Sequence, residues 1–205
     1  VGAPRKADHA ATLAAALALV ALARRDTLTL TLAGGTGRRR RVRGHQLSSF
    51  AGVLAALEAA EPDGQAPLVP AIQQLTDRGR LDRAVVLSDL LVDAEARVAT
   101  LRALAGAARR PVLVHVLDAS ELTPDLSLGL EAVDAETGEV VRVGAGEASA
   151  RAYAEALTGW LREIREVCAR LRITYVHAPT TVPARTLVLD ALRRARVVES
   201  ARGGR

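Results

Sequence analysis

The sequence has no methionine, a single cysteine and only four aromatic residues, which are Phe50, Tyr153, Trp160 and Tyr175. The one cysteine, Cys168, excludes an intrachain disulfide, and its place in a helical pattern indicates a small buried side chain. Because aromatic residues are so few, aliphatic side chains must fill the core, and hydrophobic residues make up 49% of the chain. A chain of 205 residues with this composition is long enough for one domain with a sizeable core.

Lysine is almost absent, because Lys6 is the only one, and the net charge of +5 therefore rests on arginine. A basic surface favours anionic partners such as nucleic acid or acidic proteins. An Ala-rich composition with arginine in place of lysine is also typical of GC-rich coding, so scattered arginines carry little functional information. Charge alone leaves the class of partner open.

No apolar run is long enough to span a bilayer comfortably, since the longest covers only residues 10–23. A basic pair before this run and the segment 21–23 at its end resemble a signal peptide, but Asp8 interrupts the basic lead, which favours a buried first helix. The start at Val1 without methionine favours a piece of a longer protein. We expect a cytoplasmic domain without a membrane segment of its own, whose attachment to a membrane would depend on missing N-terminal segments.

Continuous aliphatic runs alternate with helical patterns, which predicts a three-layer, Rossmann-like α/β fold: a mostly parallel sheet, helices on both faces and one antiparallel hairpin. The predicted strands are residues 27–33, 38–43, 83–88, 111–117, 128–133, 139–143 and 173–177. The predicted helices are residues 6–24, 47–60, 68–78, 94–108, 148–172 and 184–196. The side chains predicted to line the central sheet are Leu30, Leu32, Val85, Leu87, Val112, Val114 and Val116. Residues 1–198 are predicted to form one domain and 199–205 a disordered tail.

Three short stretches occur in the order of a known bacterial family. Residues 84–91 (AVVLSDLL) are similar to its strand ending in Ser-Asp, and 114–121 (VHVLDASE) to its strand ending in Asp-Pro-x-Glu, with Ala119 where proline is usual. Residues 130–138 are similar to its hairpin, which commonly reads Asp-x-Glu-Thr-Gly. On these motifs the chain resembles the von Willebrand factor A-like domain of the family called domain of unknown function fifty-eight, often encoded beside MoxR-type AAA+ ATPases.

The resemblance implies a metal-ion-dependent adhesion site for Mg²⁺ at the carboxyl ends of the strands. Such a site takes an Asp-x-Ser-x-Ser loop after the first strand, a threonine from a second loop and an aspartate from a third. Here the first strand and its loop would lie before Val1, and the second loop, 63–68, has Ala66 near the threonine position. Only Asp89, with Ser88 beside it, stands where a ligand is expected. We therefore expect a degenerate or incomplete site and no cofactor, with Mg²⁺ bound only if the missing strand were restored.

The densest charge of the chain is the run Arg38, Arg39, Arg40, Arg41 and Arg43. An exposed edge strand is the favoured interpretation, because arginines discourage edge pairing. An anion-binding patch is the alternative. No aromatic residues interleave with these arginines, so specific binding of nucleic acid is not expected. The glycine-rich segment 34–37 lacks the lysine ending of a phosphate loop and favours a hairpin turn.

Several polar residues follow or lie within the predicted strands. Asp89 is either a functional residue at a strand end or a turn or cap residue, and the two readings stay open. Asp93 is predicted to cap the helix 94–108. Asp118 and Glu121 could form an acid/base pair, but capping or bracing of the loop is favoured. His115, within a buried strand, is expected to be a hydrogen-bonded core histidine.

These observations favour a protein-interaction module of von Willebrand factor A type that binds and does not catalyse. By the resemblance its partner would be a MoxR-type AAA+ ATPase. One alternative is a basic domain that binds nucleic acid or other anions through the arginine run. The other is a Rossmann-like enzyme of unknown reaction, although the sequence has neither a nucleotide-binding fingerprint nor a credible catalytic triad.

Overall fold

The structure, a computed structural model, describes residues 5–33, 41–60, 68–76, 79–125, 130–133, 140–143 and 146–193. The helices are α1 (Lys6–Ala23), α2 (Phe50–Glu58), α3 (Leu68–Leu75), α4 (Ala94–Ala107), α5 (Ala119–Leu122), α6 (Glu147–Arg170) and α7 (Ala184–Thr186). A 3-10 turn, Leu47–Ser49, leads into α2, and a π-helical segment, Leu187–Leu192, continues α7. The strands are β1 (Leu28–Thr31), β2 (Arg41–Gly44), β3 (Leu81–Ser88), β4 (Ala108–Leu117), β5 (Leu130–Val133), β6 (Val140–Val143) and β7 (Thr174–Pro179).

The central sheet has three parallel strands in the order β3-β4-β7. The middle strand, β4, is buried continuously over its last seven residues. A parallel strand of this kind needs apolar side chains on both faces, because helices cover both sides of the sheet. The aliphatic run PVLVHVL meets that need, and the predicted parallel α/β sheet is confirmed.

Helices pack on the two faces of this sheet and make three layers. On one face, Val112 and Val114 of β4 pack with Leu13 of α1 and with the π-helical segment. On the other face, Leu113 of β4 packs with Leu104 of α4 and with residues of α3 and α6. Successive side chains of a strand point to opposite faces, so neighbouring residues of β4 pack in the hydrophobic clusters on opposite sides of the sheet.

The strands β1 and β2 form a separate antiparallel pair, and among the described residues neither is hydrogen-bonded to the central sheet. The prediction that Leu30 and Leu32 line the central sheet is therefore wrong. Leu30 lies on β1 and packs against a small cluster formed by Leu22 and Val53, and Leu32 follows the end of β1. The alternation of leucine and threonine specified a strand correctly, but local pairing with β2 decides which sheet that strand joins. The predicted hairpin of β5 and β6 is confirmed.

Helix positions agree with the sequence patterns except for short elements. The single turn α5 was not predicted, and the predicted helix 184–196 is a short helix followed by a π-helical segment. The predicted turn at 34–37, the loop residue Ala66 and the tail 199–205 lie outside the described residues.

The first helix, α1, is long and apolar enough to cross a membrane by length and composition alone. A core helix and a signal sequence meet the same criterion. In this fold α1 buries His9, Leu13, Ala18 and Leu22. Leu13 lies in the core between α1 and the central sheet, as expected for a helix that covers one face of a sheet.

Candidate functional site

The carboxyl ends of β3, β4 and β7 lie at one edge of the central sheet, because the three strands are parallel. The chain continues with Asp89 after β3, Asp118 after β4 and Thr180 after β7. Ligands of open α/β sheets bind outside this edge. We call the polar side chains gathered here the carboxyl-edge cluster: Lys6, Ser88, Asp89, Asp118, Ser120, Glu121 and Thr180.

Lys6, the first residue of α1, links the loops that follow β3 and β4. Its Nζ donates a hydrogen bond to Asp89 Oδ2 at 2.7 Å and another to Glu121 Oε1. Burial lowers the pKa of the Lys6 ammonium, but the hydrogen bonds to the two carboxylates outweigh burial and leave this pKa above its ordinary value. Lys6 therefore stays charged at neutral pH and offsets one of the two negative charges that it contacts.

Asp118 caps α5 and joins the end of β4 to the end of β7. Its Oδ1 accepts hydrogen bonds from the backbone nitrogen of Ser120 at 3.0 Å and from Ser120 Oγ at 2.7 Å, and its Oδ2 accepts one from Thr180 Oγ1 at 3.2 Å. Glu121 Oε2 accepts from the backbone nitrogen of Asp118 at 2.7 Å, which completes a capping box. Hydrogen bonds from the backbone and hydroxyl of Ser120 hold the pKa of Asp118 below its usual value. The predicted capping roles of Asp118 and Glu121 are confirmed.

The loop after β3 makes a tight turn that separates one buried leucine from two exposed apolar residues. Ser88 Oγ accepts from the backbone nitrogen of Leu90 at 3.0 Å, and Asp89 Oδ1 accepts from that of Leu91 at 3.3 Å. Leu90 has a φ of +52°, a left-handed conformation that strains a non-glycine residue, and its side chain is fully buried. Leu91 and Val92 follow with 53% and 39% of their surface exposed. The fold therefore holds two apolar side chains in solvent beside the carboxyl-edge cluster.

Asp89 and Ser88, the predicted metal ligands, lie side by side, but contacts within the chain engage their oxygens. Asp89 Oδ2 accepts from Lys6, and Ser88 Oγ accepts from the backbone of Leu90. Among the residues that the structure describes, no group of three His, Cys, Asp or Glu side chains could hold a metal ion. This donor set does not fit Mg²⁺, which takes a near-octahedral shell of oxygens. The metal affinity of the chain stays a prediction.

His115 supports the carboxyl-edge cluster from within the sheet. It is fully buried, with Nε2 2.8 Å from the backbone oxygen of Asp89 and Nδ1 2.9 Å from the hydroxyl of Tyr175. A carbonyl only accepts, so Nε2 donates and Nδ1 accepts from Tyr175 in the neutral ring. Burial lowers the pKa of His115 to about 4, so the ring is neutral at pH 7. The expectation of a hydrogen-bonded core histidine is confirmed.

Three members of the carboxyl-edge cluster were not predicted from the sequence: Lys6, Ser120 and Thr180. Tyr153 was not predicted either, although its hydroxyl donates to the backbone oxygen of Glu121 at 2.6 Å. The one available signal was that Lys6 is the sole lysine in a chain that otherwise uses arginine. Asp93 was predicted correctly as a cap, since its Oδ1 accepts from the backbone of Ala96 at 2.8 Å.

Two of the predicted anion-binding residues, Arg41 and Arg43, lie on the antiparallel pair of strands β1 and β2. Arg41 and Arg43 are exposed on β2, and Val42 between them is half-buried. This alternation is that of an edge strand with one face in solvent, as the sequence predicted. Arg38, Arg39 and Arg40 lie outside the described residues, so the structure leaves anion binding as a prediction.

Comparison with known proteins relates the chain to one family. The family described as "Protein of unknown function DUF58" matches residues 2–162, which is more than half of the chain. A search of curated proteins and a search of solved structures each find no match. The motifs at the ends of β3 and β4, which carried the resemblance, lie within the matched segment. The chain therefore belongs to the DUF58 family.

Proposed function

We propose that the chain is a protein-interaction module of von Willebrand factor A type, that it does not catalyse a reaction, and that its partner is a MoxR-type AAA+ ATPase. The observation that supports this most is the exposure of Leu91 and Val92 directly beside the carboxyl-edge cluster. Apolar side chains surrounded by polar ones are typical of the centre and rim of a protein interface. The buried, left-handed Leu90 fixes the turn that presents them.

The hydrogen bonding and the pKa shifts of the polar side chains support binding over catalysis. The hydroxyls of Ser120 and Thr180 donate to Asp118, whose lowered pKa makes it a poor general base. Cys168 is fully buried, and burial raises the pKa of its thiol to about 11, so it is a poor nucleophile. The carboxylates of Asp89 and Glu121 are bound to Lys6. These groups brace the loops of a rigid surface.

We propose that the carboxyl-edge cluster is a degenerate form of the adhesion site of von Willebrand factor A-type domains. Asp89 and Ser88 stand at the strand end where the resemblance expects ligands. The ammonium of Lys6 supplies the positive charge that a metal ion would otherwise bring to Asp89. A partner is then recognised by the shape and apolar surface of the loop rather than by a shared metal ion.

The proposed location is the cytoplasm. The free and buried Cys168 is compatible with a reducing compartment, which supports this location.

Calorimetric titration tests the proposal with the purified MoxR-type ATPase of the same organism. We expect saturable binding to the wild-type chain and at least tenfold weaker binding to Leu91→Asp, which places a charge in the apolar centre of the interface. The control is Leu47→Asp, because Leu47 is 55% exposed and lies in the 3-10 turn before α2, in another part of the fold. The proposal fails if the wild-type chain does not bind the ATPase. It also fails if the Leu91→Asp and Leu47→Asp variants both fold and bind the ATPase with equal affinity.

Anion binding by the arginine-rich strand is the second candidate. The observation in its favour is that Arg41 and Arg43 are both exposed and, two residues apart on one strand, share a face. Their charge would attract polyanions without reading a base sequence.

A further inference from the structure

The loop that carries the exposed Leu91 and Val92 is held at both ends by hydrogen bonds from buried side chains. His115 Nε2 donates to the backbone oxygen of Asp89, at the start of the loop, at 2.8 Å. Arg97 Nη1 donates to the backbone oxygen of Val92, at the end of the loop, at 3.2 Å. The two donors belong to β4 and α4, which pack together in the core, so both ends of the loop are fixed to the core.

Arg97 is an unusual donor, because its side chain is both charged and buried. Only 9% of the residue is exposed. A buried charge destabilises the fold unless hydrogen bonds and an opposite charge offset its loss of hydration. The carbonyl of Val92 and the carboxylate of Glu163, whose Oε2 lies 3.7 Å from Arg97 Nη2, provide this compensation. The guanidinium is therefore confined to the place where it meets the loop.

Trp160 of α6 contacts both of the side chains that hold the loop. The guanidinium carbon of Arg97 lies 6.0 Å from the centroid of the indole ring, the distance of a cation–π contact. The ring of His115 meets the same indole edge to face, with 5.1 Å between the centroids. One half-buried aromatic side chain thus positions two donors from different elements.

The conformation of this loop depends on interactions with residues outside it. Leu90 lies between the two anchored carbonyls, and its φ of +52° is a left-handed conformation that strains a non-glycine residue. Leu91 and Val92 are exposed, so their own packing does little to offset this strain. Burial of Leu90 and the hydrogen bonds from His115 and Arg97 offset it instead.

We propose that Arg97 is a positioning residue for partner binding: packed against Trp160, it fixes the carbonyl of Val92 and keeps Leu91 and Val92 in the orientation that the partner binds. Because Arg97 is buried, it exerts this effect without forming part of the contact surface. A loop that is already ordered loses less conformational freedom on binding, which raises the affinity. The inference rests on the proposed function, in which Leu91 and Val92 form the apolar centre of the interface.

Amide hydrogen exchange of the free chain tests the positioning role without a partner. The probes are the backbone amides of Leu90 and Leu91, which donate to Ser88 Oγ and Asp89 Oδ1 while the loop keeps its turn. The variant Arg97→Met keeps an apolar stem and removes the donors, and we expect at least tenfold faster exchange of these two amides.

The amides of β4 report unfolding of the whole domain and distinguish positioning from a general loss of stability. Their exchange in Arg97→Met should rise by less than about threefold, because Glu163 is 52% exposed and stays hydrated when its partner is removed. Unchanged exchange of Leu90 and Leu91 would overturn the proposal. An equal rise in the loop and in β4 would also overturn it, since Arg97 would then stabilise the fold as a whole.

Two further variants of α4 serve as controls. Arg97→Lys keeps a cation and a donor, and should restore the exchange of the loop to within about threefold of the wild-type rate. Arg102→Met makes the same change as Arg97→Met at an exposed position of the same helix and should leave the loop at the wild-type rate. Exchange in Arg97→Lys as fast as in Arg97→Met would contradict a role for the donor and overturn the proposal.

Calorimetric titration with the MoxR-type ATPase measures the effect on binding. We expect at least tenfold weaker binding to Arg97→Met, and affinities within about threefold of the wild type for Arg97→Lys and Arg102→Met. Thermal unfolding checks that each variant is folded at the temperature of the titration. Wild-type affinity in a folded Arg97→Met variant would overturn the proposal.

The two proposals fail separately. If the wild-type chain does not bind the ATPase, the choice of partner is wrong, and the exchange rates of the free chain still decide whether Arg97 positions the loop. If the ATPase binds in a manner sensitive to Leu91→Asp but not to Arg97→Met, the proposed function stands and the role of Arg97 is wrong.

Discussion

His115 and the backbone carbonyl of Asp89 are joined by a hydrogen bond of 2.8 Å that runs from the middle strand of the central sheet to the end of its neighbour. The imidazole is fully buried, and its other nitrogen lies 2.9 Å from the hydroxyl of Tyr175 on β7. The position of Asp89, and with it the exposed loop residue Leu91, therefore depends on a neutral histidine in the core.

The pH dependence of stability should report this arrangement. Burial lowers the pKa of His115 from 6.5 to about 4, so the unfolded chain binds a proton in this interval and the folded chain does not. The stabilisation is complete above pH 6.5 and is lost as the pH falls toward 4, up to about 3 kcal/mol. Burial also lowers the pKa of His9 and His177, which adds to the same trend.

Urea unfolding followed by Trp160 fluorescence measures this dependence between pH 7.5 and 4. The variant His115→Gln keeps a donor for the carbonyl of Asp89 and cannot titrate, so its free energy of unfolding should fall less steeply with decreasing pH. An unchanged slope in the variant would mean that His115 is not the residue that couples stability to pH.

Removal of the ammonium of Lys6 should destabilise the chain modestly. Lys6→Met leaves Asp89 and Glu121 without their shared cation, and for a partly exposed ion pair we expect a loss of about 1 kcal/mol or less. The loss should shrink in 1 M salt, which screens the interaction. Lys6→Arg keeps the charge and serves as the control in denaturant unfolding. An equal loss in both variants would show that packing, not charge, determines the effect.

The chain should not bind Mg²⁺ or Mn²⁺ with useful affinity. Asp89 is the one predicted carboxylate ligand, Lys6 already engages it, and a hydrated Mg²⁺ gives up water reluctantly. Calorimetric titration of both ions should give no saturable heat. Micromolar binding that Asp89→Ala abolishes would show that the loops form a working metal site.

Binding of DNA through the arginine-rich strand should be weak, independent of sequence and steeply dependent on salt, because exposed arginines contact phosphates without reading bases. The double variant Arg41→Ser and Arg43→Ser should reduce the salt slope by up to roughly 2. Anisotropy titrations with two unrelated duplexes at 0.05 M and 0.2 M salt measure this. Tight binding at 0.2 M salt that favours one duplex would contradict the expectation.

The sequence predicted those features that depend on local pattern. The aliphatic runs of β3 and β4 specified the parallel sheet, and Asp93 specified a helix cap, since both signals lie within a few neighbouring residues. The short helix α5 was not predicted, because a single helical turn has no periodicity that a sequence pattern could show.

Contacts between distant segments could not be predicted in this way. Lys6 meets Asp89 across 83 residues of sequence and Glu121 across 115, and no periodicity encodes such a pair. The separation of β1 from the central sheet has a similar origin, because the pattern of a strand does not state which strand will be its neighbour. The capping box of Asp118 and Glu121 was accessible because its two members are three residues apart.

The most direct test of the account is amide hydrogen exchange of the chain alone and in complex with the MoxR-type ATPase. The account predicts slower exchange on binding in residues 89–92, which carry the exposed Leu91 and Val92, and in 118–122 beside them at the same edge. Residues of α2, away from the carboxyl-edge cluster, should exchange at unchanged rates. Unchanged exchange in both loops at saturating partner, or protection confined to other parts of the chain, would contradict the claim that this edge is the interaction surface.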